Sequence, residues 1–282
     1  MRISLQSSFE PMGRTATKSL EPGIHQARVV AVAAQKGGVG KTTTTVCLAA
    51  AWARFHRLRV LVVDLDPQAH VNVALRDQVR VGGGAISDVL ADPARYEIAE
   101  IATTTHIDGL DITPADPGLI RVEDRLASRI GKELVLKKAL EITRTHYDLI
   151  LLDCPPNVGS LTVNALVAAD SVLIPCAASA LAVSGVSGLL NAVSDVRDQL
   201  HPQLAVLGLV LTMVDGRNAR TNGAIFDLVK ENWSDILVPV QIGVSTSLSA
   251  AQLAGRDVFD VEPESRGAQQ YRALADNLLT RM

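Results

Sequence analysis

The stretch that decides the fold is AAQKGGVGKTTTT, residues 33–45. It overlaps the end of an apolar run, RVVAVAA at 28–34, which predicts a buried parallel strand, and it leads into a helix predicted at 42–55. A glycine-rich turn between a strand and a helix presents backbone N–H groups to phosphate oxygens, and the N-terminus of the helix favours the same negative charge. The sequence therefore predicts a phosphate-binding loop.

Each part of this loop has a distinct expected role. Small residues let the backbone curl around a di- or triphosphate, Lys41 reaches the β and γ oxygens, and the Thr42 hydroxyl ligates magnesium. Gln35 departs from the usual pattern, G-x-x-x-x-G-K-S/T, which has glycine at that position. The alternative, a glycine-rich turn that binds nothing, is disfavoured because strand, loop and helix follow in the required order. The loop residues expected to bind a nucleotide are Gly37, Gly38, Val39, Gly40, Lys41, Thr42 and Thr43.

Aspartates follow two of the predicted strands. Asp153 ends an apolar run and is expected to hold magnesium through water. Asp64 and Asp66 share a face in an extended strand, so both are expected to face the phosphates. We assign to Asp66 the orientation of the attacking water and a place in the metal shell. Any one of these aspartates alone is better interpreted as a helix cap or a solvated loop residue; three of them beside a phosphate loop favour catalysis.

Strands and helices alternate along the rest of the chain, and only 3% of the residues are aromatic while 48% are hydrophobic. This pattern predicts an α/β fold of the P-loop NTPase type, with a mostly parallel sheet flanked by helices on both faces. Residues 28–282 are expected to form one domain, and residues 1–27, which lack periodicity, a flexible arm.

Several local predictions can be compared directly with the structure. A GGG turn is expected at 82–84, and helical spacing at 119–143 predicts a long helix with a break at Gly131. Near the end, a short strand is predicted at 236–238, followed by a loop and a closing helix from 264.

Composition excludes some classes of protein. The net charge of −3 gives no indication of a nucleic-acid binder. Cys47, Cys154 and Cys176 are scattered singly and are expected to be buried, reduced thiols. No apolar stretch reaches the length of a membrane span, and the N-terminus lacks a signal-like apolar core, so we predict a soluble, cytoplasmic protein without a membrane partner.

The order of the quoted segments resembles one family. KGGVGKTTT, VDLDPQ, DLILLDCPP followed by LTVNALVAADSVLIP, LTMVDGR and SRGAQQYRALA together span nearly the whole chain from Arg28 onward. They are similar to the deviant-Walker ATPases of the ParA group, which partition plasmids and chromosomes and have MinD as a relative. The resemblance implies ATP and Mg²⁺ as ligands, with Lys36, Lys41 and Asp66 as catalytic residues.

The resemblance also implies a role for Lys36, the additional lysine of the loop. In this family the lysine crosses the interface of an ATP-sandwiched homodimer and contacts the partner's nucleotide, where a cation offsets charge on the transferring phosphoryl group. A solvated surface lysine is the plain alternative. The resemblance further implies that Met213 and Asp215 border the adenine and that Pro239 makes a base-side contact, although Met213 is equally suited to fill the core.

Binding to DNA is the weaker part of the resemblance. Family members bind duplex DNA nonspecifically through basic side chains, and Arg217 and Arg220 match that region, but a second family arginine falls at Ser247 here. The resemblance implies a ParB-like centromere-binding partner that stimulates an ATPase otherwise weak, and association with the nucleoid.

Other classes remain open alternatives. A MinD-like membrane-positioning ATPase needs a basic amphipathic tail, which YRALADNLLTRM lacks. An iron protein of the nitrogenase type needs two cysteines in flexible loops, and an amide-forming synthetase fits poorly with VDLDPQ. A nucleotide-switched binding module with slow turnover is compatible with the main interpretation.

Overall fold

The computed structural model describes residues 26–80, 84–93 and 95–282. In these residues a seven-stranded sheet has the order β3-β4-β2-β5-β1-β6-β7. Its strands are β1 (Arg28–Val32), β2 (Val60–Asp64), β3 (Thr103–Thr104), β4 (Leu110–Thr113), β5 (Leu149–Asp153), β6 (Ser171–Ala177) and β7 (Ala205–Thr212). All neighbouring strands are parallel except the β3–β4 pair. The mostly parallel sheet predicted from the sequence is confirmed.

Helices cover both faces of the sheet. Alternate residues of β1 face opposite sides, so Val29 and Ala31 belong to one apolar core and Val30 and Val32 to the other. The first core packs α3 to α9, and the second packs α1, α2 and α10 to α12. The helices are α1 (Lys41–His56), α2 (His70–Ala74), α3 (Ile86–Ala91), α4 (Ile98–Ile101), α5 (Gly118–Ala127), α6 (Val135–Leu140), α7 (Ser160–Ala168), α8 (Ala180–Gln199), α9 (Ala219–Trp233), α10 (Thr246–Ala254), α11 (Val258–Val261) and α12 (Arg266–Leu279).

The register of the central strands assembles the site. Val32 of β1 and Asp64 of β2 are both partners of Asp153 in β5. The carboxyl ends of these three strands therefore lie side by side, and the segments that follow them meet at one edge of the sheet, where ligands bind in open α/β folds.

The break predicted at Gly131 is confirmed. Helix α5 ends at Ala127, Gly131 has φ 68° in the left-handed region, and α6 begins at Val135. Glycine tolerates this conformation, which other residues adopt at a cost.

Two predictions near the C-terminus are wrong. The strand expected at 236–238 is reduced to one bridge between Leu237 and Leu209, because the chain leaves the register of β7 after Val238 and next donates to it from Ile242, to the Leu211 carbonyl at 2.8 Å. The loop expected after it contains α10 and α11. Helix α10 begins after Ser245 and ends at Gly255, which has φ 67°, so a serine and a glycine bounding the helix were the signal that was missed.

Residues 82 and 83 of the turn expected at 82–84 lie outside the described residues, as does the arm expected at 1–27 apart from residues 26 and 27. Of the helices that the structure describes, none combines the length and the apolar character needed to cross a bilayer.

Candidate nucleotide site

The glycine-rich loop connects β1 to α1 at the carboxyl edge of the sheet. Gly38 and Gly40 have φ of 73° and 84°, a left-handed conformation that turns their N–H groups without the steric cost that a Cβ would add. The Thr212 hydroxyl at the end of β7 donates to the Val39 carbonyl at 2.8 Å and ties the loop to the sheet. The segment thus has the backbone form that a phosphate group requires.

Lys41 is the first residue of α1 and is only 7% exposed. Its Nζ donates to the carbonyl oxygen of Lys36 at 3.3 Å, across the loop. Burial lowers the pKa of Lys41, and the negative charge of Asp153 opposes that shift. The ammonium group therefore lies under the loop, beside a buried acid.

Asp153 ends β5 and is fully buried. Its two carboxylate oxygens accept the hydroxyls of Thr42 at 2.7 Å and Thr45 at 2.8 Å. Burial raises the pKa of Asp153 to about 6, against the opposing effects of both hydroxyls and of Lys41. Carboxylate and hydroxyl oxygens are hard ligands of the kind that Mg²⁺ takes in nucleotide sites, where phosphates and water complete the shell. The donor set fits magnesium.

No group of three or more His, Cys, Asp or Glu residues in the described part of the chain could hold a metal by itself.

The two aspartates after β2 have different surroundings. Asp66 is 6% exposed and lines a cavity beside the loop, and its Oδ1 accepts the N–H of Gln68 at 3.0 Å. Asp64 is fully buried, and its oxygens accept the N–H groups of Asp66 at 3.0 Å and Val71 at 3.1 Å. Burial is the main cause that raises the pKa of Asp64 well above its usual range, and the charge of Asp153 raises it further. The prediction that both aspartates face the phosphates fits Asp66, whereas Asp64 holds the turn.

Two adjacent cavities run along this edge. The phosphate cavity has a volume of about 290 Å³ and the base cavity about 230 Å³. The phosphate cavity is lined by Gly37, Gly38, Gly40, Lys41, Thr42, Thr43, Asp66, His70, Pro156, Met213 and Gln252. The two cavities share Gly40, Thr43, Met213 and Gln252. Because an elongated ligand with a charged end and an apolar end fits such a pair, the arrangement matches a nucleotide.

The base side differs in part from the prediction. Met213 lines both cavities, is 46% exposed and has φ 53°, a strained conformation for a residue with a Cβ. Asp215 and Pro239 are not among the residues that line either cavity. The wall is instead formed largely by a segment that no motif marked, consisting of Ile242, Gly243, Val244, Ser245, Leu248, Ser249 and Gln252.

Lys36 is exposed, and its stem lies against α8. A Cβ placed on Gly185 would lie 3.4 Å from the Lys36 Cγ, and a Cβ on Gly188 would overlap the side-chain amide of Gln35. The residue that replaces the usual glycine of the loop is therefore packed on a glycine of α8. The interfacial role of Lys36 stays a prediction.

Arg217 is bound to its neighbour. Its Nε and Nη2 donate to the two oxygens of Asp215 at 3.0 and 2.9 Å, and its side chain is 86% exposed. This contact lowers the pKa of Asp215. The side chain of Arg220 lies outside the described residues. Ser247, the position of the second family arginine, is 2% exposed and shares a hydrogen bond with Ser245.

A family model described as an AAA domain matches residues 27–206. Sporulation initiation inhibitor protein Soj of Bacillus subtilis (strain 168) is 40% identical over 250 residues, covering 88% of this chain and 96% of Soj. Chromosome partitioning protein ParA of Caulobacter vibrioides (strain NA1000 / CB15N) is 37% identical over 259 residues, covering 90% of this chain and 94% of that protein.

Solved structures give the same fold. A crystal structure described as cobyrinic acid a,c-diamide synthase from Mycobacterium smegmatis, with bound ATP analog and magnesium, has a TM-score of 0.74 at 34% identity and covers 90% of this chain and 94% of that chain. The cell division ATPase MinD of Pyrococcus furiosus has a TM-score of 0.73 at 21% identity, covers 91% of this chain and 100% of that chain, and supports the fold alone. The family model and the curated relatives establish that the chain belongs to the ParA/MinD family of ATPases.

Proposed function

We propose that this protein is a ParA-type ATPase that closes into an ATP-sandwich dimer, binds duplex DNA without sequence preference and drives the partition of a plasmid or chromosome. The observation that carries the proposal is the pair of lysines in one loop. Lys41 is buried under the phosphate cavity, whereas Lys36 is exposed beside it. One cation is thus placed for the chain's own nucleotide, and the other is free to reach a second copy.

Within one chain, ATP with Mg²⁺ occupies the two cavities. Lys41 would contact the β and γ oxygens, Thr42 and Asp153 would hold the metal, and Asp66 would orient the attacking water. A magnesium ion held there would supply positive charge to neutralise the phosphate oxygens. The position of Asp66 on the cavity wall supports its role, since a group that orients water must lie within hydrogen-bond reach of it.

Hydrolysis is weak in the isolated protein and is accelerated by a centromere-binding partner of the ParB type. The protein acts in the cytoplasm, on the nucleoid. The curated relatives Soj and ParA, which match over nearly their whole length, support this part of the proposal.

Sedimentation velocity tests the dimer. Wild type with Mg²⁺ and a nonhydrolysable ATP analogue is expected to sediment as a dimer and to be a monomer with ADP. Lys36→Ala should remain a monomer and lose turnover, because the interfacial cation is gone. Asp66→Ala should stay a dimer in ATP itself, because hydrolysis no longer ends the dimer.

Lys138→Ala is the matched control, since Lys138 is an exposed lysine that lines neither cavity. This variant should behave like wild type. A wild-type protein that stays monomeric when saturated with the analogue would contradict the proposal.

A second function is favoured by one observation, the description of the 34% identical solved structure as an amide-forming synthase. Such an enzyme transfers the phosphoryl group to a carboxylic acid, so its ATP turnover requires that acid. A partition ATPase turns over ATP with water alone, and its rate responds to DNA and to the partner. Measuring phosphate release with no organic acid present separates the two.

A further inference from the structure

We propose that His70 belongs to the nucleotide site and donates a hydrogen bond to the γ-phosphoryl end of the bound triphosphate. No sequence motif marks this residue. The inference rests on the proposed ATPase function and adds a contact that distinguishes ATP from ADP.

The two cavities place His70 at the phosphate end. Four residues shared by both cavities mark their junction, and His70 is not one of them. His70 lines the phosphate cavity together with Gly37, Gly38 and Asp66, which the base cavity does not contact. His70 therefore lies on the side of the site away from the base, where the last phosphate of a triphosphate would extend.

The backbone before His70 is strained. Ala69 has φ 53°, a left-handed conformation that costs free energy in a residue with a Cβ. The strain is held in place by a compact turn, in which Asp66 accepts the N–H of Gln68 on its side chain at 3.0 Å and the N–H of Ala69 on its carbonyl at 2.9 Å. The turn that places Asp66 on the cavity wall thus also fixes the direction in which the chain enters α2.

The residue on the other side of His70 is anchored in the core. Val71 is fully buried, and its N–H donates to the Asp64 carboxylate at 3.1 Å. His70 itself is exposed, so it is not a core histidine whose ring is held by packing. Because the backbone on both sides of His70 is already fixed, binding a ligand there orders only the side chain, which favours a positioned contact.

The chemistry of the ring fits a phosphate oxygen. Imidazole offers an N–H donor in its neutral form as well as in its charged form, so it can bond a phosphoryl oxygen in either state. His70 lines the same cavity as Lys41 and follows Asp66 by four residues along the chain. The γ-phosphoryl group would then have a donor at the Asp66 side in addition to the loop.

Calorimetric titration of the full-length protein with Mg²⁺ and either a nonhydrolysable ATP analogue or ADP tests the inference. In His70→Ala, affinity for the analogue should fall roughly tenfold, as expected for the loss of one hydrogen bond to a charged group, and affinity for ADP should be unchanged. His70→Asn and His70→Gln, whose amide nitrogens approximate the two ring nitrogens, should differ, and one of them should recover most of the loss.

His106→Asn is the matched control, because His106 is an exposed histidine that does not line the phosphate cavity. Equal affinities of wild type and all three His70 variants for the analogue would overturn the inference and leave the ATPase proposal intact. An equal loss for ADP and the analogue would also overturn it, since that result indicates a structural role. Failure of wild type to bind either nucleotide would instead overturn the proposed function.

Discussion

Asp153 combines a structural contact with the metal-holding role that we propose for it. Its carboxylate is fully buried, yet each oxygen accepts a threonine hydroxyl from α1, so the acid joins β5 to the helix that follows the loop. A buried carboxylate is costly to ionise unless charges or donors compensate. Here the compensation from Thr42, Thr45 and Lys41 is incomplete, because burial still raises the pKa of Asp153 to about 6.

This shift predicts an unusual pH dependence for the nucleotide-free protein. The pKa is raised on folding from 3.8 to about 6, so the folded state holds a proton that the unfolded state has lost. Protonated Asp153 contributes on the order of 3 kcal/mol to the free energy of unfolding. This contribution is fully present below pH 3.8 and is lost as the pH rises to about 6. Asn cannot titrate, so Asp153→Asn should become more stable relative to wild type between pH 4.5 and 7.

Urea unfolding in EDTA at several pH values measures this difference. Asp124→Asn, at an exposed position of α5, controls for the removal of one carboxylate from the surface. A free-energy difference between Asp153→Asn and wild type that stays constant across this range would contradict the prediction.

At the scale of elements, the phosphate loop is fitted to α8 as well as to α1. Gln35 packs over Gly188, and the stem of Lys36 lies near Gly185 one turn earlier. Glycine within a helix is less stable than alanine by about 1 kcal/mol, so two of them in α8 need a reason. The close approach of the loop supplies that reason and connects α8 to the lysine assigned to the dimer interface.

Gly188→Ala should therefore affect thermal stability and ATP-dependent dimerisation differently. The added methyl group overlaps the end of the Gln35 side chain, which is flexible, so the fold should keep its thermal stability or gain some. The displaced Gln35 shifts the adjoining Lys36, and ATP-dependent dimerisation measured by sedimentation should weaken several-fold.

Gly223→Ala in α9 is the matched control, because a Cβ there meets nothing within 4 Å. It should gain the same helix stability and dimerise normally. The double variant Gly188→Ala with Gln35→Ala should regain dimerisation, since the clash is removed. Normal dimerisation of Gly188→Ala alone would show that this contact does not position Lys36.

The elements with strong local patterns could be predicted from the sequence. Buried parallel strands are continuous apolar runs, as in LILLD of β5, and the loop and its flanking strand and helix follow a spacing fixed by phosphate geometry. The base cavity could not be predicted, because α10 contributes to it through tertiary packing and its residues match no motif. His70 was missed for a related reason, since the strained turn at Ala69 sets its direction and leaves no pattern in the sequence.

At the scale of the whole molecule, charge does not predict DNA binding. The chain carries 27 lysines and arginines against 30 aspartates and glutamates. Any contact with DNA must therefore come from a local group of basic side chains. Arg217 is a candidate for such a group, but its guanidinium is already bound to Asp215, and a DNA phosphate has to compete with that carboxylate.

Because of this competition, removing Arg217 and removing the charge of Asp215 should change the affinity for DNA in opposite directions. With the ATP analogue, Arg217→Ala should weaken binding to random duplex DNA and lower the dependence of log K on log salt by about one unit. Asp215→Asn should strengthen binding, because it releases Arg217 and removes a negative charge. Fluorescence anisotropy across a salt series measures both. If neither variant changes the affinity, the DNA contacts lie elsewhere on the molecule.

The borders of the sheet have a consequence for a protein proposed to gather in many copies on DNA. At one border β3 is only two residues long, and at the other residues 236–244 run beside β7, where Leu209 exchanges backbone hydrogen bonds with Ile236 and Val238 at 2.7 and 2.9 Å. Exposed strand edges are the usual templates for irreversible aggregation between crowded molecules. Residues 236–244 of the same chain cover the edge of β7. Copies crowded together on DNA should therefore not aggregate irreversibly through this edge and should be able to dissociate.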